Sequence, residues 1–213
     1  HSRWIPELTH NECFRQWALL AIRDQLNARV PDAKSWAISH AFLDVHVFNS
    51  RNGFTKEAKA NGLKLVAVNL PGFKGILSHF TQPGKVFANE LIERLKVIAC
   101  IEIPNMAHSE ENDPLFAAAE WEKITTLLKA GENDAQLIIR GPEEDIQTAL
   151  ETVEERCRMA FAGVPPETRK SFENGTTIFE RVLPGADRMY PDTDSAPIPL
   201  ENNLIEKLGK NKP

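Results

Sequence analysis

Leu63 to Leu70 reads LKLVAVNL, a run built for a β-strand. Leu63, Leu65, Ala67 and Asn69 alternate with Lys64, Val66, Val68 and Leu70, and period two is the side-chain repeat of extended backbone. Neither set is cleanly polar. A strand of this kind needs cover, at least in part, on both faces. Pro71 to Gly75, PGFKG, then reads as a turn in which two glycines take angles that other residues avoid. It has neither the GxGxxG nor the GxxxxGK[ST] spacing, so it is not read as a phosphate loop.

Downstream, Gly84 to Leu95 reads as a turn entering a short helix. Val97 to Ile103 reads as a second strand closed by Pro104, and 105–114 as a polar loop. Leu115 to Lys129 has an amphipathic helical pattern, with Phe116, Ala119, Ile124, Leu127 and Leu128 available for burial and Gly131 as its stop. Gln136 to Arg140 is a short strand. Pro142 opens a long helix, Glu143 to Phe161, whose stripe is Ile146, Leu150, Val153, Cys157 and Phe161. Glu143, Glu144 and Asp145 suit the positive end of that helix and are read as helix support, not as metal ligands. Strand, strand, helix, strand, helix over 63–162 predicts a two-layer α+β module with a mixed or antiparallel sheet.

The flanks lack a complete core of their own, which suggests an insertion module set inside a second domain. Before the module, Asn11 to Ala28 has helical spacing in Phe14, Trp17, Ala18, Ala21, Ile22 and Gln25, with Thr9 or Asn11 as cap and both aromatics read as core. Trp36 to Phe48 is apolar, but its periodicity does not separate helix from strand. His40 and His46 fit no zinc spacing on one element. Ser50 to Gly62 predicts a short helix and a turn. After the module, 163–194 is polar and rich in proline. Asn174-Gly175 marks a tight turn between extended runs, and Thr176 to Val182 suggests a strand. Arg169, Arg181, Arg188 and Tyr190 could converge on an anion or a nucleic-acid backbone. The plainer alternative is a loop-rich surface with ordinary ion pairs.

The formal net charge of −5 leaves no overall basic footprint, so any RNA contact has to be local. Cys13, Cys100 and Cys157 are widely spaced, form no CxxC and cannot all pair. A reducing, cytoplasmic setting is the expectation. No apolar run approaches the roughly 20 residues that span a membrane, and no signal-peptide pattern opens the chain. The first residue is His1, and the chain is expected to be a fragment of something longer. No nucleophile elbow, HExxH or paired-carboxylate signature is present, so no catalytic residue and no metal ligand is assigned.

Four pieces carry a family resemblance: KLVAVNLPGFKGIL, QPGKVFANEL, IEIP and AGENDAQLII. Together they resemble the GAD domain, an insert of bacterial-type aspartyl-tRNA synthetases and of the E subunit of archaeal-type Glu-tRNA(Gln) amidotransferases. The flanks GVPPETR, NGTT and RVLPGADRMYPDTD, with the upstream helix FRQWALLAIRDQL, resemble the amidotransferase E subunit and not the synthetase. The likeness covers roughly residues 11 to 200. It implies segments 1–62 and 163–200 of an amidotransferase B/E cradle around a GAD-like insert at 63–162, with 201–213 starting a linker.

Family function follows as expectation. The E subunit holds the tRNA and activates the glutamyl group of Glu-tRNA(Gln) with ATP and magnesium, and a D-type amidotransferase partner releases ammonia. The cradle's GLEIH-type motif is not in this chain, so ATP and magnesium are expected for the full-length family enzyme and no cofactor for this piece. By resemblance Glu167, Arg169, Arg188, Tyr190 and Asp192 are candidates to line the cradle cavity. Lys74, Arg169, Arg181 and Arg188 are candidates for contact with tRNA(Gln), with Tyr190 as a stacking ring. A divergent protein- or RNA-binding module without amidation is the alternative. The insert departs from its family where FHSDELP becomes IACIEIP, which puts Ala99 and Ile101 in place of His and Asp, and where GTELAD becomes ANELIE.

Overall fold

The structure is a computed structural model and describes residues 3–183. In chain order its elements are α1 (Ile5–Arg29), β1 (Ser39–Leu43), α2 (Phe54–Ala60), β2 (Lys64–Leu70), β3 (Phe80–Gln82), β4 (Lys85–Val86), α3 (Phe87–Val97), β5 (Met106–His108), α4 (Ala118–Leu128), β6 (Ala135–Gly141), α5 (Glu143–Ala160), β7 (Glu167–Ser171) and β8 (Thr177–Val182). The main sheet has the order β1-β2-β6-β5, and every pairing in it is antiparallel. Its first strand comes from the segment before residue 63 and the other three from 63–162.

The central strand β2 explains the layering. Val66, Val68 and Leu70 pack with Leu137 and Ile139 against α1, α3 and α5. Leu65 and Ala67 pack with Ile138 against Phe54 and Ala58 of α2 and Trp121, Ile124 and Leu128 of α4. A strand with two apolar faces needs two covers. Helices therefore lie on both sides of the sheet, and the two-layer expectation gives way to three layers of an α+β fold.

Several local expectations change. The segment Val97–Ile103 is not a strand. α3 runs through Val97, and Cys100 takes the left-handed conformation (φ 56), which no strand accommodates. The strand here is Met106–His108, inside the stretch expected to be loop. Lys129 (φ 51), and not Gly131, forms the left-handed end of α4. On α4, Leu127 is exposed and Ala119 also faces out, leaving Trp121, Ile124 and Leu128 as its buried face.

α1 begins at Ile5, where Pro6 suits a first turn. Neither Thr9 nor Asn11 is its cap: Thr9 Oγ1 donates to Ile5 O, and buried Asn11 donates to Gly175 O at 2.9 Å. Its inner face is Asn11, Arg15, Ala18, Leu19, Ile22 and Leu26. Trp17 is 61% exposed, so it is not core. Phe14 sits half out beside it, their rings 5.5 Å apart. The open segment 36–48 resolves as a strand and a turn.

Candidate functional site

The best-built polar feature joins α1, α3, α5 and the β7-β8 hairpin. On α3, Glu90 and Arg94 lie one turn apart on the buried face. On β7, Glu167 and Arg169 are two residues apart and share a face. α1 contributes Arg15 and α5 contributes Arg156, each at most 1% exposed.

Glu90 and Glu167 are the hubs. Arg15 Nε and Nη2 donate to the two oxygens of Glu90 at 2.6 and 2.9 Å, and Arg156 Nη2 adds a bond of 3.0 Å. Glu167 Oε1 accepts from Arg15 at 2.8 Å and Arg169 at 2.6 Å, while its Oε2 accepts from Arg94. Arg169 also reaches Thr177 Oγ1 at 2.7 Å, Thr177 O at 3.1 Å and Glu93 at 3.4 Å. Burial alone would raise the pKa of Glu90, but Arg156, Arg15 and Arg169 outweigh it and hold the carboxyl far below its ordinary range. Burial opposes the charge on Arg15 too, and Glu90, Glu12 and Glu167 reverse that and push its pKa up. Arg94 goes the other way, since its burial exceeds what Glu167 returns. Nε and Nη1 of Arg94 and Arg156 have no hydrogen-bond partner. Their guanidinium planes lie over Phe179 at 4.5 Å and Phe87 at 4.9 Å, so ring faces stand in for acceptors.

Backbone capture completes the clamp. Gln82 accepts from Thr177 N at 2.8 Å and donates to Thr177 O at 3.1 Å, completing a pairing with one residue of β8. Glu93 accepts from Phe179 N at 2.9 Å and holds Lys85 Nζ at 2.6 Å. The hairpin turn is the Asn174-Gly175 turn read from the sequence, with Gly175 at φ 74. Every hub carboxylate oxygen is taken by guanidinium. The arrangement fixes β7 and β8 to the helices, and it offers no free base or nucleophile.

The predicted site residues separate. Glu167 and Arg169 come together and line a cleft of about 360 Å³ with Leu8, Glu12, Arg15 and Thr177. Arg169 is spent inward. Arg181 is exposed on β8, opposite Thr168. Lys74 is exposed in the turn after β2, where its carbonyl accepts from Arg29 and its N–H donates to Asn133 O at 3.0 Å. Arg188, Tyr190 and Asp192 lie outside the described residues. Both oxygens of the Glu167 carboxylate already accept guanidinium bonds, so neither is left open to a metal ion. Among the described residues no group of three or more His, Cys, Asp or Glu is placed to hold a metal ion.

Sequence reasoning missed Arg15, Glu90, Arg94 and Arg156. Only one signal pointed to them, a charge recurring within an apolar helical stripe, as Arg15 does between Asn11, Ala18, Leu19 and Ile22. Ala99 and Ile101, where family inserts often carry His and Asp, are both buried in the core facing α5. Ile101 packs onto the backbone at Gly141, where even a Cβ would lie 2.7 Å from its Cδ1. These positions are apolar because the core there is closed.

No protein-family model matches the chain. Curated relatives do. It is 38% identical over 213 residues to the E subunit of the glutamyl-tRNA(Gln) amidotransferase of Methanocaldococcus jannaschii, covering 98% of this chain and 33% of that protein. The corresponding E subunits of Sulfurisphaera tokodaii and Pyrococcus abyssi are each 34% identical, over 95% and 98% of this chain and 32% of theirs. The chain spans about a third of the length of the curated relatives it matches. Over that third, the chain is similar to glutamyl-tRNA(Gln) amidotransferase E subunits along nearly its whole length, as a piece of such a subunit would be.

Proposed function

We propose that this chain serves as a tRNA-holding and scaffolding part of an amidotransferase that makes Gln-tRNA(Gln). The carrying observation is that amidotransferase E subunits match nearly all of it at 34–38% identity. The buried clamp supports the scaffold half of the reading, since it locks the two cradle-type flanks, α1 and β7-β8, onto α3 and α5 of the insert. In the full-length protein, ATP and magnesium act with residues beyond this chain, and a D-type, ammonia-producing partner supplies the nitrogen. Ligase chemistry belongs to that assembly, in the cytoplasm. Among the described residues, no helix is long and apolar enough to cross a membrane.

RNA contact is assigned to the exposed cations Lys74 and Arg181 and to Arg188 and Tyr190. Arg169 acts as scaffold. The test is a titration with tRNA(Gln) and an unrelated tRNA at low and moderate salt. Binding that favours tRNA(Gln) and weakens steeply with salt supports the reading, because phosphate contacts release counterions. Binding indifferent to salt overturns the RNA-contact half.

A further inference from the structure

The two edges of the main sheet are finished differently. β5 is three residues long and buried throughout. β1 is five residues, Ser39, His40 and Phe42 are exposed, and its register with β2 is regular. Among the described residues, no main-chain or side-chain hydrogen bond reaches β1 apart from its ladder with β2. SHAFL contains no proline and no Lys, Glu or Asp. Bulges, prolines and charges are the usual protections of an edge strand, and none is present here.

A groove runs beside this edge. His40 and Phe42 stand opposite Val68 and Val66, which places both on the α5 side of the sheet. Phe42 is 57% exposed there. The groove, about 450 Å³ in volume, is lined by Ile38, His40, Gln147 and Leu150 and by three carboxylates, Glu151, Glu154 and Glu155, against one guanidinium, Arg158. Glu154 is paired with Arg158. Glu151 and Glu155 are exposed and have no cationic partner among the described residues.

We infer that β1 is a strand-addition site for an extended peptide carrying Lys or Arg at alternate positions. The peptide's main chain takes up the N–H and C=O groups of Ser39–Leu43 that have no partner among the described residues, which supply affinity without regard to sequence. Alternate side chains then project to one face. On the α5 side they meet Glu151 and Glu155, so that face selects cations, with apolar contact from Phe42. A second copy of the chain fits poorly, because edge-to-edge pairing would bring like acidic faces together.

The test uses the whole chain with two acetylated hexapeptides, a Lys-Val repeat and a Glu-Val repeat. The Lys-Val peptide is expected to bind at least tenfold more tightly and to slow amide exchange within Ser39–Leu43. The double variant Glu151→Lys/Glu155→Lys changes only exposed positions and is expected to invert that preference. Unchanged exchange in β1 at saturating peptide overturns the proposal, as does a charge preference that the double variant leaves intact. Concentration-dependent dimerisation that the Lys-Val peptide fails to disperse also overturns it, by assigning the edge to a second copy.

Discussion

Arg15 grips Glu90 fork to fork, Nε and Nη2 on the two carboxylate oxygens at 2.6 and 2.9 Å, both side chains at most 3% exposed. Arg156 shares the same carboxylate, so one anion answers two buried guanidinium groups. Removing it leaves charge uncompensated in a dry place. Glu90→Gln is expected to destabilise the fold by about 3–5 kcal/mol, the usual cost of breaking a buried pair from one side. The urea-unfolding midpoint measures it. Lys96→Ala removes one partner of the exposed Lys96–Glu102 pair and is expected to stay within about 0.5 kcal/mol. Equal effects from the two changes would remove the clamp from the account of stability.

His108 and Glu90 separate on the pH axis. Burial pushes the His108 imidazole down to about 4 from an ordinary 6.5. Between these values the unfolded chain binds the proton and the folded chain does not, so stability rises with pH across that window and is fully present above it. The lost stability at low pH is on the order of 3 kcal/mol at most. The lowered pKa of Glu90 acts lower: its contribution is complete above about 4.5 and fades as pH falls toward its folded value. His108→Asn keeps an acceptor for the Glu110 N–H and is expected to flatten the stability profile from pH 4 to 6.5 only. Denaturation midpoints at half-unit pH steps give the answer.

What the sequence revealed and what it hid differ in range. β2, β6, α5 and the β7-β8 hairpin were legible because period, proline placement and the Asn174-Gly175 turn are local signals. The clamp was not, because Arg15, Glu90, Arg156 and Glu167 are far apart in the chain and each resembles an ordinary surface charge. The face of α1 was misread for the same reason. Hydrophobicity puts Phe14 and Trp17 inside, but the helix turns Arg15 and Leu19 inward because Glu90 and Glu167 are there to meet the guanidinium. The strand assigned to Val97–Ile103 failed differently: its apolar residues Ala99 and Ile101 fill the core from a loop.

Gly175 and Gly84 share nearly the same backbone angle, φ 74 and 72, but not the same neighbours. A Cβ on Gly175 would lie 2.8 Å from Glu7 Cγ and 3.0 Å from Asn11 Nδ2, and a Cβ on Gly84 meets nothing within 4 Å. Gly84→Ala therefore carries only the left-handed penalty, about 1 kcal/mol. Gly175→Ala adds crowding against α1 and strains the bond from Asn11 to the Gly175 carbonyl. Its cost is expected to be larger by about 1–2 kcal/mol. Thermal melts of the pair isolate the helix–hairpin contact, and equal melting points would show that α1 yields there freely.

Exposed and buried cations should fail in different ways. Lys74 and Arg181 are exposed, and no side-chain ion pair holds either among the described residues. If they touch phosphate, Lys74→Gln and Arg181→Gln should each lower the salt dependence of tRNA(Gln) binding by about one unit of slope and leave unfolding unchanged. Arg169→Gln should do the opposite. Its guanidinium is 8% exposed and tied to Glu167, Glu93 and Thr177, so its loss strips a partner from buried carboxylates and lowers the unfolding midpoint. Binding by whatever remains folded should keep its salt slope. A slope that drops in Arg169→Gln and holds in the other two would place the RNA against the clamp, and would require the hairpin to open before tRNA binds.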